Sequence, residues 1–140
     1  MEFRIVHKAA FTVVGMKRRF SSETSYQEIP AWWDEVMANE KRPIAGEFGV
    51  CLDLDGIIFD YLIADSYRQE IPDGCETVSF EEGDWAVFPC RMSTLQDTNT
   101  RMWSEWLPSQ REYRLRANCN IERYSMSDCC ELWLPVEKVR

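Results

Sequence analysis

Ser25-Tyr26-Gln27-Glu28-Ile29-Pro30-Ala31-Trp32-Trp33-Asp34-Glu35-Val36-Met37 decides how the chain folds, because it is a helix in a chain of strands. Ile29, Trp32, Trp33, Val36 and Met37 recur at helical spacing, and Ser25 with Glu28 fits a capping box. Pro30 falls in the first turn or so, where a missing N–H is tolerated. The spacing predicts an amphipathic helix from about 25 to 39, closed by Lys41-Arg42-Pro43 and Gly46, with the acids from Glu23 to Glu40 as its solvated side. Before it, Phe3 to Lys8 and Phe11 to Arg19 are β-branched and aromatic runs. After it, Phe48 to Leu54 and Ile57 to Ala64 flank Asp55-Gly56, a strong hairpin signal.

The second half repeats this order. Glu76 to Phe80 and Asp84 to Cys90 flank Glu82-Gly83 and read as another hairpin. Leu95, Met102, Trp103, Trp106 and Leu107 have helical spacing up to Pro108, and Ile121 to Met126 and Cys130 to Val136 form a last strand pair. Phe11-Thr12-Val13-Val14-Gly15 sits where Trp85-Ala86-Val87-Phe88-Pro89 sits in its own half, as Trp33-Asp34-Glu35-Val36 does for Trp103-Ser104-Glu105-Trp106. The expectation is one α+β domain over residues 1–140, a pseudo-twofold duplication with half-modules of about 1–68 and 74–140 and a cleft where they meet.

Composition narrows the function. The 140 residues are 45% hydrophobic, enough for one core and hardly two. Sixteen Lys+Arg against 24 Asp+Glu leave −8, which disfavours direct binding of nucleic acid. No run approaches the roughly 18 apolar residues of a spanning helix, and the N-terminus lacks a signal-peptide pattern, so a cytoplasmic protein with no membrane contact is expected. The six cysteines (Cys51, Cys75, Cys90, Cys119, Cys129 and Cys130) form no CxxC and share the chain with one histidine, His7. They read as buried reduced thiols, with no metal and no cofactor expected. His7 has no nucleophile partner and reads as structural, and no GxSxG, phosphate loop or HExxH is present.

The best candidate for chemistry is Glu122. On a strand it shares a face with Tyr124 while Ile121 points the other way, so if Ile121 faces the core the acid and the phenol face the cleft. A carboxylate beside aromatic rings attracts an organic cation, and a desolvated one has a raised pKa. The ordinary alternative is a solvent-facing glutamate paired with a neighbouring arginine. Glu131, with Trp133 on its own face, is the second acid, and Asp60 is a weaker echo in the first half. Trp33, Trp103 and Trp133 are candidates for cleft walls with Tyr61, whereas Trp85 and Trp106 read as core.

Trp103-Ser104-Glu105-Trp106-Leu107-Pro108-Ser109, Ile121-Glu122-Arg123-Tyr124 and Glu131-Leu132-Trp133-Leu134-Pro135-Val136 together resemble the gyrase-inhibitor-like (GyrI-like) small-molecule-binding family. Ala10 to Met16 and Gly83 to Phe88 fit the same pattern. That domain is also the effector-binding part of AraC-type and MerR-type transcription regulators. The resemblance implies a pair of SH2-like strand-helix-strand-strand modules around a central ligand cleft that is aromatic and often holds a glutamate. The fold already begins at residue 3, so a stand-alone member without the regulators' DNA-binding helices is expected.

The function expected is capture of lipophilic, cationic aromatic compounds by Glu122, Tyr124, Glu131, Trp133, Trp103, Trp33 and Tyr61, in an effector or drug sensor or a sequestering protein. Two alternatives stand beside it. One is a hydrolase of strained electrophilic small molecules with Glu122 as general base and Tyr124 as hydrogen-bond donor. The other is a regulatory protein with a protein partner, a transcription regulator or DNA gyrase.

Overall fold

The computed structural model describes every residue except Asp55 and Met126. Strands β1 (Arg4–Lys8) and β2 (Phe11–Ser21) lead into α1 (Ser25–Ala38), followed by β3 (Phe48–Leu52) and β4 (Ile58–Ser66). The second half runs β5 (Glu76–Phe80), β6 (Gly83–Arg91), a helical stretch, β7 (Tyr113–Leu115), β8 (Cys119–Tyr124) and β9 (Cys129–Lys138). That helical stretch opens with a 3₁₀ turn at Met92–Thr94 and continues as α2 (Leu95–Arg101). It then widens into a π turn at Met102–Trp106 and ends as α3 (Leu107–Ser109). The helix runs one residue past Pro108, and its ladder widens just before the proline, which has no N–H to give to the preceding turn.

All strand pairs are antiparallel, in the order β1-β6-β9-β8-β3-β4-β2-β5, with β7 beside β9. Read inward from either end the order is equivalent, an outer strand followed by long, long and short strands, so a pseudo-twofold axis passes between β3 and β8. The expected α+β duplication is therefore present. Within it β3 and β4 form the expected hairpin; Asp55 of its Asp55-Gly56 signal lies outside the described residues, as does Met126 beyond β8.

The hairpin expected at Glu82-Gly83 does not form. β5 pairs with β2, through Phe11 opposite Phe80, and β6 pairs with β1, through Val6 opposite Trp85. Each half thus lends its first strand to the other half. A two-residue reversal needs positive φ, and among the described residues neither Ala9-Ala10 nor Glu81-Glu82-Gly83 adopts it. Both short connections carry the chain onward across the molecule instead.

The curled sheet has two faces. Its inner face gathers strands from both ends into one core, in which Val13, Leu62, Trp85 and Ile121 are fully buried. Phe11, Phe80, Trp85 and Trp133 pack ring to ring there at 5.0–6.3 Å. Its outer face carries the helices, one over each half. Trp32 and Val36 of α1 cover Phe20, Phe59, Tyr61 and Ile63, while Met102 and Trp106 cover Phe88, Leu132 and Leu134. Trp85 and Trp106 are core residues, as the sequence suggests.

Two smaller expectations change. α1 begins after Thr24, not with Ser25 as cap, and the Thr24 hydroxyl donates to the Glu28 carboxylate at 2.5 Å. Of the six free cysteines, Cys51, Cys119 and Cys130 are buried, but Cys129 opens β9 at its end and is exposed. Among the described residues no helix is long and apolar enough to cross a membrane.

The inner core depends on its largest ring. Trp85→Ala is expected to lower the unfolding free energy by about 3–5 kcal/mol in urea denaturation, with a cavity the curled sheet cannot close. A loss below about 1 kcal/mol would contradict the assignment of this face as the main core.

Candidate functional site

The seam between β3 and β8 is the floor of a cleft of about 760 Å³, walled by α1 on one side and the α2 stretch on the other. Ile29 and Trp33 face it from α1, Leu95 and Trp103 from the opposite wall. Tyr26 and Met92 stand exposed at its mouth. The helices cannot meet over the seam because each is drawn onto its own half by its own apolar cluster.

Strand alternation puts the acid on that floor. Ile121 is fully buried in the inner core, so Asn120, Glu122 and Tyr124 point outward into the cleft. Gly49 lies opposite Glu122 across the seam. A Cβ at position 49 would run into the Tyr61 hydroxyl and the Glu122 carboxylate, so the glycine provides the space in which these two groups meet. Tyr61, on β4, reaches across it and donates to Glu122 Oε1 at 2.6 Å. The Tyr124 hydroxyl donates to the same oxygen at 2.8 Å. Behind them Trp33 Nε1 donates to the Tyr61 oxygen at 2.7 Å, and the Trp33 ring meets Tyr124 edge to face at 5.0 Å.

No lysine or arginine forms an ion pair with Glu122 among the described residues. Burial pushes its carboxyl pKa up, and the two phenolic donors pull in the opposite direction without cancelling the shift. Burial, and then the Glu122 charge, push both tyrosine hydroxyls upward as well, which keeps them protonated as donors. The result is a desolvated carboxylate held by neutral donors.

Glu122, Tyr124, Trp33 and Trp103 thus come together at one cleft. Tyr61 does not form a wall: it is fully buried under the floor and touches the site through its hydroxyl alone. Glu131 and Trp133 lie on the other side of the sheet, contrary to expectation. Trp133 is the register partner of Ile121, and cross-strand partners share a face, so the odd-numbered residues of β9 follow Ile121 inward. Trp133 is buried in the inner core with Lys8 Nζ 4.0 Å from its ring centre. Glu131 is bound by Arg4 at 2.7 Å and accepts from Trp133 Nε1 at 3.1 Å. Burial opposes its charge, but Arg4 and the indole outweigh burial and hold its pKa below the ordinary value. Asp60 faces away from the cleft too, beside Arg19 at 3.4 Å.

Other residues were not legible beforehand. Asn120 and Asn99 face the cleft, and Asp34, expected only on the solvated side of α1, stands exposed on its lip. The alternation that exposes Glu122 also exposes Asn120, two positions earlier. Asn99 and Gly49 needed the helix rotation and the strand register. His7 is exposed on β1 with ring nitrogens 2.9 Å from Asp84 and 3.1 Å from Glu82, away from the cleft.

A curled antiparallel sheet, two outer helices and a glutamate in the cleft between them define an effector-binding domain of the GyrI-like kind. The family model of the integron-associated effector-binding proteins matches residues 4–136, and the chain belongs to that family. No curated protein matches the sequence significantly. Among solved structures, the chain is similar to SAV2435 bound to tetraphenylphosphonium, with 17% identity, TM-score 0.76 and coverage of 98% of this chain and 94% of that one. An integron cassette protein from the mobile metagenome of Vibrio cholerae gives 14% identity, TM-score 0.74 and coverage of 96% and 95%. A putative bacterial transcription regulation protein from Staphylococcus aureus MU50 gives 18%, 0.73, and 98% and 99%. At these identities the likeness shows the shared fold.

The electrostatics predict a pH signature. A carboxyl whose folded pKa is raised adds stability below its unfolded pKa, and that stability is lost as pH rises through the folded pKa. Glu122→Gln cannot titrate, so its melting temperature is expected to gain on the parent's as pH rises from about 4 to 8. A difference that moved the other way would mean that the folded protein favours the charged form.

Proposed function

We propose that the protein binds lipophilic organic cations in this cleft, as a sensor or sequestering protein for such compounds. The observation that carries the reading is the Glu122 carboxylate, which is desolvated, oriented by two phenols and, among the described residues, without a lysine or arginine paired to it. Burying an ionised carboxylate is costly unless it is paired, and a ligand bringing positive charge supplies the pair. The aromatic rings of Trp33, Trp103 and Tyr124 offer faces and edges to a delocalised or alkylated cation and add cation–π attraction. About 760 Å³ lies within the range of pockets that enclose small molecules. The tetraphenylphosphonium bound by SAV2435, on the same fold, is a ligand of this class.

The charge relation has a direction. A cation favours ionised Glu122, so binding is expected to tighten as pH rises through the carboxyl's raised pKa and to release a proton within that window. The acidic surface adds a weak attraction that salt screens out beyond about 8–10 Å.

Shape and charge separate cleanly with tetraphenylphosphonium and tetraphenylborate, ions of nearly the same size and opposite sign. At 100 times its dissociation constant the phosphonium is expected to stabilise the fold by about 2.7 kcal/mol in thermal unfolding. The borate is expected to give no shift, and Glu122→Gln to weaken the phosphonium by roughly tenfold or more. Equal shifts from both ions, or an undiminished affinity in the variant, would overturn the assignment.

A further inference from the structure

We propose that Cys90, Cys130 and Met92 form a binding site for a soft monovalent metal ion of the copper(I) class, beside the mouth of the cleft. The proposal is independent of the organic-cation reading above, because Glu122 takes no part in it.

No CxxC marks this site, since its two thiols lie forty residues apart in the chain. Antiparallel register brings them together: Cys90, near the end of β6, is the direct partner of Cys130 on β9. Directly opposed residues share a face of the sheet, with Cβ atoms about 4.5–5.5 Å apart. That face is the outer one, because Cys90 packs against the cluster of Phe88, Met102 and Leu132 under the α2 stretch. The third sulfur comes from the 3₁₀ turn that follows β6, where Met92 Sδ lies 3.3 Å from Cys130 Sγ. Cys130 is buried, but the methionine that touches its thiol is 55% exposed. An unbranched thioether with three rotatable bonds can swing aside, which opens a path from solvent to the thiol beneath it. Cys90 is itself partly exposed.

Two thiols and one thioether define the metal by their softness. Thiolate and thioether donors select copper(I), whereas zinc is held by thiolates, imidazoles and carboxylates, almost always four in structural sites. Among the described residues no three His, Cys, Asp or Glu side chains gather to hold a metal, so the ordinary zinc donor set is not found here. Sulfurs bound at about 2.3 Å around one metal in a trigonal plane stand roughly 4 Å apart, a separation that opposed cysteines on paired strands can reach. Burial pushes both thiols up, Cys90 to about 12, so both start protonated. On uptake the two S–H bonds break, metal–sulfur bonds form in their place and two protons pass to solvent, with no change of oxidation state.

The test titrates the fully reduced protein with copper(I), without oxygen, in competition with the chromophoric chelator bathocuproine disulfonate. The expected result is one tightly held ion per chain, with three sulfur neighbours in copper X-ray absorption. Cys90→Ser and Cys130→Ser are each expected to weaken the ion by roughly a hundredfold or more, and Met92→Leu by roughly tenfold with two sulfur neighbours remaining. Cys129→Ser removes an exposed thiol one residue away, on the other face of β9, and is expected to change nothing. Should Cys130→Ser fail to fold, Cys90→Ser and Met92→Leu, at positions that are not fully buried, still decide. Tight uptake that survives both Cys90→Ser and Met92→Leu, or that Cys129→Ser weakens as much as Cys90→Ser does, would overturn the proposal. No uptake by the reduced parent, with or without a Cys90–Cys130 disulfide forming in air, would overturn it as well.

Discussion

A carboxylate that no lysine or arginine pairs with, among the described residues, is the constraint around which the cleft is arranged. Glu122 accepts two phenolic hydrogen bonds on one oxygen, and Trp33 contacts both phenols, Tyr61 through its indole N–H and Tyr124 ring to ring. Neutral donors orient the acid without neutralising it, whereas an arginine in the same place would have filled the charge requirement from within. Glu131 shows that second outcome on the opposite face, where Arg4 and the Trp133 indole hold the carboxylate below its ordinary pKa. Two acids nine residues apart, on adjacent strands, differ because, among the described residues, arginines pair with one and no basic side chain pairs with the other.

The duplicated architecture makes such a site possible. Each helix covers the apolar outer face of its own half, and the inner face is closed by an aromatic core shared between the halves. The seam of β3 and β8 remains, covered by neither helix and flanked by both. Exchange of the first strands, β1 onto β6 and β5 onto β2, ties the halves together at the far edges of the sheet. The cleft is thus framed by a sheet whose far strands take no part in it, and Gly49 leaves its floor open for the hydroxyl of Tyr61.

Much of this was legible in the chain. The spacing of Ile29, Trp32, Trp33 and Val36 marks α1, and the repeated order of elements marks the duplication. Alternation around Ile121 was enough to send Glu122 and Tyr124 to the same side. What local pattern could not supply was register. Whether Trp133 sits opposite Ile121 or Glu122 is settled by long-range pairing, and a shift of one residue exchanges the faces of β9. Placing Glu131 and Trp133 in the cleft amounted to that one-residue error. The supposed hairpin at Glu82-Gly83 failed for a related reason: a glycine between two strands signals a reversal only if its φ turns positive, and here Gly83 begins β6.

The central claim concerns the charge state of one group, so the most direct measurement is a carbon-13 NMR titration of the Glu122 carboxyl, alone and with tetraphenylphosphonium. The account predicts a midpoint above the ordinary glutamate value of 4.5 in the free protein, moving down when the cation binds. A midpoint at or below that value, unmoved by the cation, would contradict it.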